Sequence, residues 1–134
     1  MKIIKKYAAC FTVGGVGYGI IELLWRGHTH WTMILAGGIC FAVFTVIAEK
    51  CREIPIAYKV ALAAACVTTV ELIFGVVFNI WLRMDVWDYS KMRFNLFGQI
   101  CPLYSLLWCA LSAAALPLAE FISKKCDSRC RATA

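Results

Sequence analysis

The chain has 134 residues, of which 62% are hydrophobic and 16% charged, with a formal net charge of +6 and a mean hydropathy of +0.74. An ordinary soluble domain is excluded, because such domains are about half apolar and a quarter charged, and a chain this apolar would expose large patches to water and aggregate. A nucleic-acid binder is excluded as well, because the basic residues sit at the ends of apolar runs rather than interleaved with exposed aromatics. The length suits a single domain, residues 1–134.

Four apolar runs follow in order, at about 7–25, 32–48, 60–82 and 94–119. Each approaches or exceeds the roughly 20 residues that carry a helix across a hydrocarbon core. Lipid offers no partner to free backbone groups, so each run is expected to be a helix. The predicted fold is all-α and integral to the membrane, a bundle of four transmembrane helices. Lys2, Lys5 and Lys6 precede the first run as in a signal peptide, but the run carries Glu22 and ends in Trp25-Arg26 without a small-x-small cleavage site, so it reads as a retained helix.

Orientation follows from the basic residues. One side collects Lys2, Lys5, Lys6, Lys50, Arg52, Lys59, Lys124, Lys125, Arg129 and Arg131, and the other has Arg26, Arg83, Lys91 and Arg93. The asymmetry puts both termini and the loop at 49–59 in the cytoplasm of a multi-pass cell-membrane protein. Trp25, Trp31, Trp81 and Trp87 are then expected to mark the outer interface. Of the eight cysteines, Cys10, Cys40, Cys66, Cys101 and Cys109 lie in apolar runs, where a thiol behaves as a small hydrophobe. Cys51, Cys126 and Cys130 fall on the cytoplasmic side, where thiols stay reduced. Cys126 and Cys130 lack a second ligand pair, so no metal is expected.

The halves echo each other. Glu22-Leu23 matches Glu71-Leu72, and Leu35-Ala-Gly37-Gly-Ile39-Cys40 matches Leu96-Phe-Gly98-Gln-Ile100-Cys101. Two repeated helical hairpins would be related by an axis along the membrane normal, which would bring Glu22 and Glu71 together near the centre.

Those two carboxylates are the sharpest features. An ionisable side chain inside the membrane costs a few kcal/mol on the gentler insertion scales, so it faces the bundle interior or a wet cavity. On the third helix Thr68, Glu71, Gly75, Asn79 and Arg83 step by three or four along one stripe. On the first, Gly15, Gly19, Glu22 and Arg26 do the same, and Gly15 with Gly19 permits close helix approach. The functional reading is a carboxylate site for a proton, a cation or a cationic substrate. In the competing reading the carboxylates pair with Arg26, Arg83 or backbone groups and only lock the bundle.

The outer loops add His28 and His30, which at a spacing of two could be metal ligands but are too few to hold a metal by themselves, and the stretch Trp87-Asp88-Tyr89-Ser90 followed by Asn95 and Gly98. Asp88, Ser90 and Asn95 suit turns and caps; alternatively they form a polar lid over the carboxylates. In the fourth run Gly98, Cys101, Ser105, Trp108 and Ser112 form a small or polar stripe that reads as packing, with Pro102 in the first turn and Pro117 loosening the inner end. Gly14-Gly15-Val-Gly17-Tyr-Gly19 has no strand before it and is no dinucleotide loop, and no phosphate loop, His-Glu-x-x-His or Gly-x-Ser-x-Gly occurs. Neither enzymatic activity nor a cofactor is expected.

The stretch "WDYS" at residues 87–90, then Asn95, Gly98-Gln99-Ile100-Cys101, Tyr104 and Trp108, resembles the bacterial family labelled ABC-transporter type IV, or ABC transporter permease. "RGHTHWTM" and "GGICF" in the first half resemble short members of the same family. Taken literally, the label implies a separate ATPase. Four helices are few for half of such a transporter, and the loop at 49–59 is too short for a helix that docks into an ATPase. The expectation is a small transporter or permease subunit, homo-oligomeric or joined to a partner membrane subunit, with Glu71 and Glu22 near the path. The alternative is a non-transporting membrane protein that binds, assembles or regulates a partner complex.

Overall fold

The computed structural model describes residues 2–132 of the chain, and side chains over 3–129. It is all-helical: α1 (Lys2–Arg26), α2 (Trp31–Lys50), α3 (Ile56–Phe74) and α4 (Pro102–Ala132), with α3 running on without a break into a π-helical segment at Gly75–Trp81. Among the described residues four helices are long and apolar enough to cross a membrane. The side chains of Lys2, Cys130 and Arg131, which enter the charge count and the Cys126–Cys130 pair, lie outside the described residues.

Local signals set the helix ends. Gly27 stops α1 with a positive φ of 73° while its N–H bonds the Leu23 carbonyl at 2.9 Å. The His30 ring accepts from the Thr32 N–H and caps α2. Pro55 precedes α3, and Pro102, which has no N–H to leave unbonded, is the first residue of α4. Pro117 lies inside α4, where it removes one turn's hydrogen bond.

α2 is the central helix and packs against the other three, while α1 touches α4 only lightly. The α1–α2 crossing is close because glycines face each other. A Cβ on Gly14 would strike Phe41 and the Gly37 carbonyl, one on Gly37 would strike Tyr18, and one on Gly15 would stand 2.8 Å from the Ile34 carbonyl oxygen. Such approach gives helices in lipid their attraction, since apolar burial does not distinguish a helix neighbour from a lipid tail. Between α1 and α4 a seam remains, bordered by Val13, Gly17 and Ile21 on one side and Leu111, Ala114 and Leu118 on the other.

Apolar packing falls into two clusters. The larger joins Cys10, Phe41, Phe44, Val67, Leu116 and their neighbours from all four helices, and the smaller joins Met33, Val86 and Trp87 toward the outer end. Both described chain ends lie on the same side. There Lys6 holds Glu49 at 2.7 Å and Asp127 at 3.3 Å, Tyr7 donates to Glu49 at 3.1 Å, and the Ser123 hydroxyl also donates to Glu49. One carboxylate thus ties α1, α2 and α4 together.

The fourth helix begins later than expected, at Pro102 rather than near 94, and runs further, to Ala132. Residues 82–101 are irregular, with Arg83, Asp85, Phe94 and Phe97 all at positive φ, a region costly for bulky side chains. The echo between the halves is therefore not an echo of structure. Leu35–Cys40 is helix, whereas Leu96–Cys101 is a tight turn closed by a Leu96–Ile100 bridge. Gly98 belongs to that turn, at φ 68°, and not to the α4 stripe. Trp25, Trp31 and Trp81 are exposed as a belt would be, but Trp87 is only 6% exposed and packs inside.

Candidate functional site: a carboxylate in an aromatic chamber

Glu71 sits on α3, 5% exposed. Its Oε1 accepts from the Tyr89 hydroxyl at 3.0 Å, and its Oε2 accepts from the Trp108 indole N–H at 3.0 Å. Both donors are neutral, and no Lys, Arg or His among the described residues lies within ion-pair distance. The expected cation, Arg83, is fully outside: it is exposed, past the helix end and at φ 54°. The wide π turn leaves Arg83 off the stripe and keeps Asn79 on it. At 3.6 residues per turn, eight residues from Glu71 would land about 80° away, and the wider winding over Gly75–Trp81 brings Asn79 back toward the face of Glu71 and Gly75.

Aromatic rings surround the carboxylate. Tyr18 and Trp108 stand with centroids 5.6 Å apart, and Tyr89 stacks on Tyr104 at 4.4 Å and 11°. Beside Glu71 lies a cavity of about 270 Å³ that reaches Cys40 and Ser112. A second, of about 620 Å³, opens toward the outer end past Glu22, Arg26 and Lys91. Tyr18, Trp87 and Trp108 wall both.

Glu22 is arranged differently. It is equally buried, but Arg26 pairs with its Oε1 at 2.7 Å and Thr29 donates to its Oε2 at 2.9 Å. Arg26 also donates to the Val86 carbonyl at 2.7 Å, fastening residues 82–101 to α1. Among the described residues no hydrogen bond joins Glu22 to Glu71. Both are buried, each with partners of its own, and Glu22 makes the Arg26 pair that the competing reading expected.

The irregular segment is held by side chains where backbone pairing is lacking. Asn79 donates to the Trp87 carbonyl at 2.9 Å and to Gln99 Oε1 at 2.8 Å, and accepts from the Val86 N–H at 2.7 Å. The Trp87 indole donates to the Gln99 carbonyl at 3.0 Å. Gln99 lies flat on Gly75, where a Cβ would come within 2.5 Å of its Oε1. Further out, Asp88 accepts from the Ser90 N–H at 2.8 Å and hydroxyl at 2.9 Å, which hold its carboxyl below the ordinary range. Asn95 donates to the Ser90 and Met92 carbonyls and accepts from the Gly98 N–H at 3.0 Å. Asp88 and Asn95 thus build turns, as their capping chemistry suggested. Tyr89 alone of this stretch reaches Glu71, and burial, with the Glu71 carboxylate beside it, pushes its phenol above the ordinary value. His28 contacts Arg26 and His30 serves as a cap.

Sequence reasoning missed Tyr18, had Gln99 and Tyr104 only as residues that carry the family resemblance, and took Trp108 and Ser112 for packing. One signal was available. Thr68 and Glu71 are three apart, as are Ser105 and Trp108, and the pairs meet rung by rung: Thr68 donates to Ser105 at 3.2 Å and Trp108 to Glu71.

These features lie within a stretch that a family model matches. The family described as Putative ABC-transporter type IV matches residues 7–131. The chain belongs to that family. No curated protein and no solved structure matches it. As a member of the family it carries the label of an ABC-type transporter component, and its four apolar helices make it a membrane protein.

Proposed function

We propose that this family member is a non-enzymatic transporter or permease subunit of the cell membrane, with both termini in the cytoplasm, in which Glu71 exchanges a proton or a cationic substrate. The supporting observation is the contrast between two equally buried carboxylates. Glu22 has a guanidinium at 2.7 Å, whereas Glu71 has only neutral donors and borders a cavity. An ionisable group kept in a membrane interior without a fixed counter-charge is suited to a mobile one. The seam between α1 and α4 leaves one bundle incomplete as a conduit, which favours a homo-oligomer or a partner membrane subunit. The turn between α2 and α3 has five residues, Cys51–Pro55, which speaks against a helix docked into an ATPase at that point.

Reconstitution of the purified protein in liposomes tests the proposal. Glu71→Gln strands no cation, so it should insert and reach normal abundance yet lose transport and its pH dependence. Full, pH-dependent transport by Glu71→Gln refutes the proposal. An inactive wild type that co-purifies with a membrane partner through Glu71 would favour the assembly role instead.

A further inference from the structure

The oxygens and rings around Glu71 discriminate among cations. A hard inorganic cation replaces its water shell with a full set of oxygens. Here the cavity beside Glu71 offers the two Glu71 oxygens, each already receiving a donor, and Ser112. The remaining wall is apolar or aromatic, with Ile21, Met33, Phe74 and Leu111 among its members. Sodium or potassium would arrive desolvated and under-coordinated.

An organic cation meets the opposite balance. Its apolar body is accommodated by the same walls, and its charge is met by the carboxylate and by ring faces, which attract cations more strongly away from water. The cavity beside Glu71, about 270 Å³, is close to the lower end of the range of about 300–1,000 Å³ typical of small-molecule sites, and it shares Tyr18, Trp87 and Trp108 with the second, of about 620 Å³, which falls within that range. An independent observation points to an occupant. Ser112 is 1% exposed, and its hydroxyl is a buried side-chain oxygen without a hydrogen-bond partner. Thr12, Thr45 and Thr69 each donate to the carbonyl four residues back. Ser112 does not, and it lines the same cavity as Glu71. A buried hydroxyl left in that state is costly unless something in the cavity bonds it.

We propose that the chamber bounded by Glu71, Tyr18, Trp87, Tyr89 and Trp108 binds a lipophilic organic cation, its charge at Glu71 and its body against the rings, with Ser112 available to a polar group on that body. This rests on the reading of Glu71 as an exchange site and names the class of substrate.

The test uses wild-type protein in lipid nanodiscs and a pair of ions of one shape and opposite charge, tetraphenylphosphonium and tetraphenylborate, followed by tryptophan fluorescence and calorimetry. The phosphonium should bind and the borate should not, sodium and potassium should fail to compete, and Glu71→Gln should weaken phosphonium binding by about tenfold or more. If Glu71→Gln does not fold, the wild type still decides: phosphonium should slow labelling of Glu71 by a hydrophobic carbodiimide. Equal binding of both ions, or no protection of Glu71, overturns the proposal. Proton or sodium binding that depends on Glu71, without phosphonium binding, overturns the ligand class and leaves the exchange site standing. No occupant that depends on Glu71 overturns both.

Discussion

Tyr89 donates its hydroxyl to Glu71 at 3.0 Å, and this one bond joins the irregular outer segment to the middle of α3. The indole of Trp108 approaches the other carboxylate oxygen from α4, so Glu71 braces the contact that Tyr89 and Tyr104 make between that segment and α4. A double-mutant cycle should reveal it. Tyr89→Phe and Trp108→Phe should each lower the stability of wild type by about 1.5–3 kcal/mol, the range for hydrogen bonds to a charged group. In the Glu71→Gln background, each loss should shrink by more than half. Equal losses in both backgrounds, measured by thermal melting in detergent, would mean that the bonds are incidental.

Gly75 makes a sharper steric prediction. A methyl group there would press on Gln99 and break the contact with Asn79. Gly75→Ala should cost about 1–3 kcal/mol, and Gln99→Ala in the same chain should recover part of it. Gly17 meets nothing within 4 Å, so Gly17→Ala should be neutral or slightly stabilising. Similar melting temperatures for the two alanine variants would show that the segment does not rest on α3 as described.

At the other end, Lys6 and Glu49 should behave as a coupled pair. Lys6→Ala leaves Glu49 half-buried without its cation, and the loss should fall at about 1–3 kcal/mol, between an exposed pair and a fully buried one. Exchanging the two, Lys6→Glu with Glu49→Lys, should restore much of the stability. A swap no better than either single change would mean that the surrounding Tyr7, Ser123 and Asp127 set the geometry.

Topology is checked with thiols. The ten-to-four excess of basic residues puts Cys51 and Cys126 inside. In intact cells an impermeant maleimide should leave both unmodified, and permeabilisation should expose them. Strong labelling of either with the membrane sealed inverts the orientation.

The helices were legible because lipid leaves an apolar run almost no other conformation, and Glu71 was legible because an ionisable residue in such a run stands out. Its partners were not. Tyr89 lies 18 residues further on, in a stretch whose shape depends on bonds from Asn79, Asn95 and Trp87 to backbone groups, and such bonds follow no period. Phe94–Cys101 reads as helix from its apolarity, and the reading fails because left-handed Phe94 and Phe97 are fixed by tertiary bonds rather than by local preference. Trp87 was assigned to the interface by residue type alone, although its indole N–H is spent on Gln99. The π turn leaves no mark in composition, and only the exact spacing of Glu71, Gly75 and Asn79 hints at it.

The seam between α1 and α4 changes what an affinity means for this protein. Val13, Gly17 and Ile21 face Leu111, Ala114 and Leu118 across a gap that an acyl chain would fill, so the ligand proposed for Glu71 would have a route from the bilayer beside the one past Glu22 and Arg26. For a ligand taking the bilayer route the relevant concentration is moles per volume of lipid, and an aqueous dissociation constant is the intrinsic one divided by a partition coefficient. Each methylene added to a ligand raises its level in the bilayer by about fourfold. In a homologous series, apparent potency would climb with chain length although no protein atom gains a contact, and the slope would change with the lipid used.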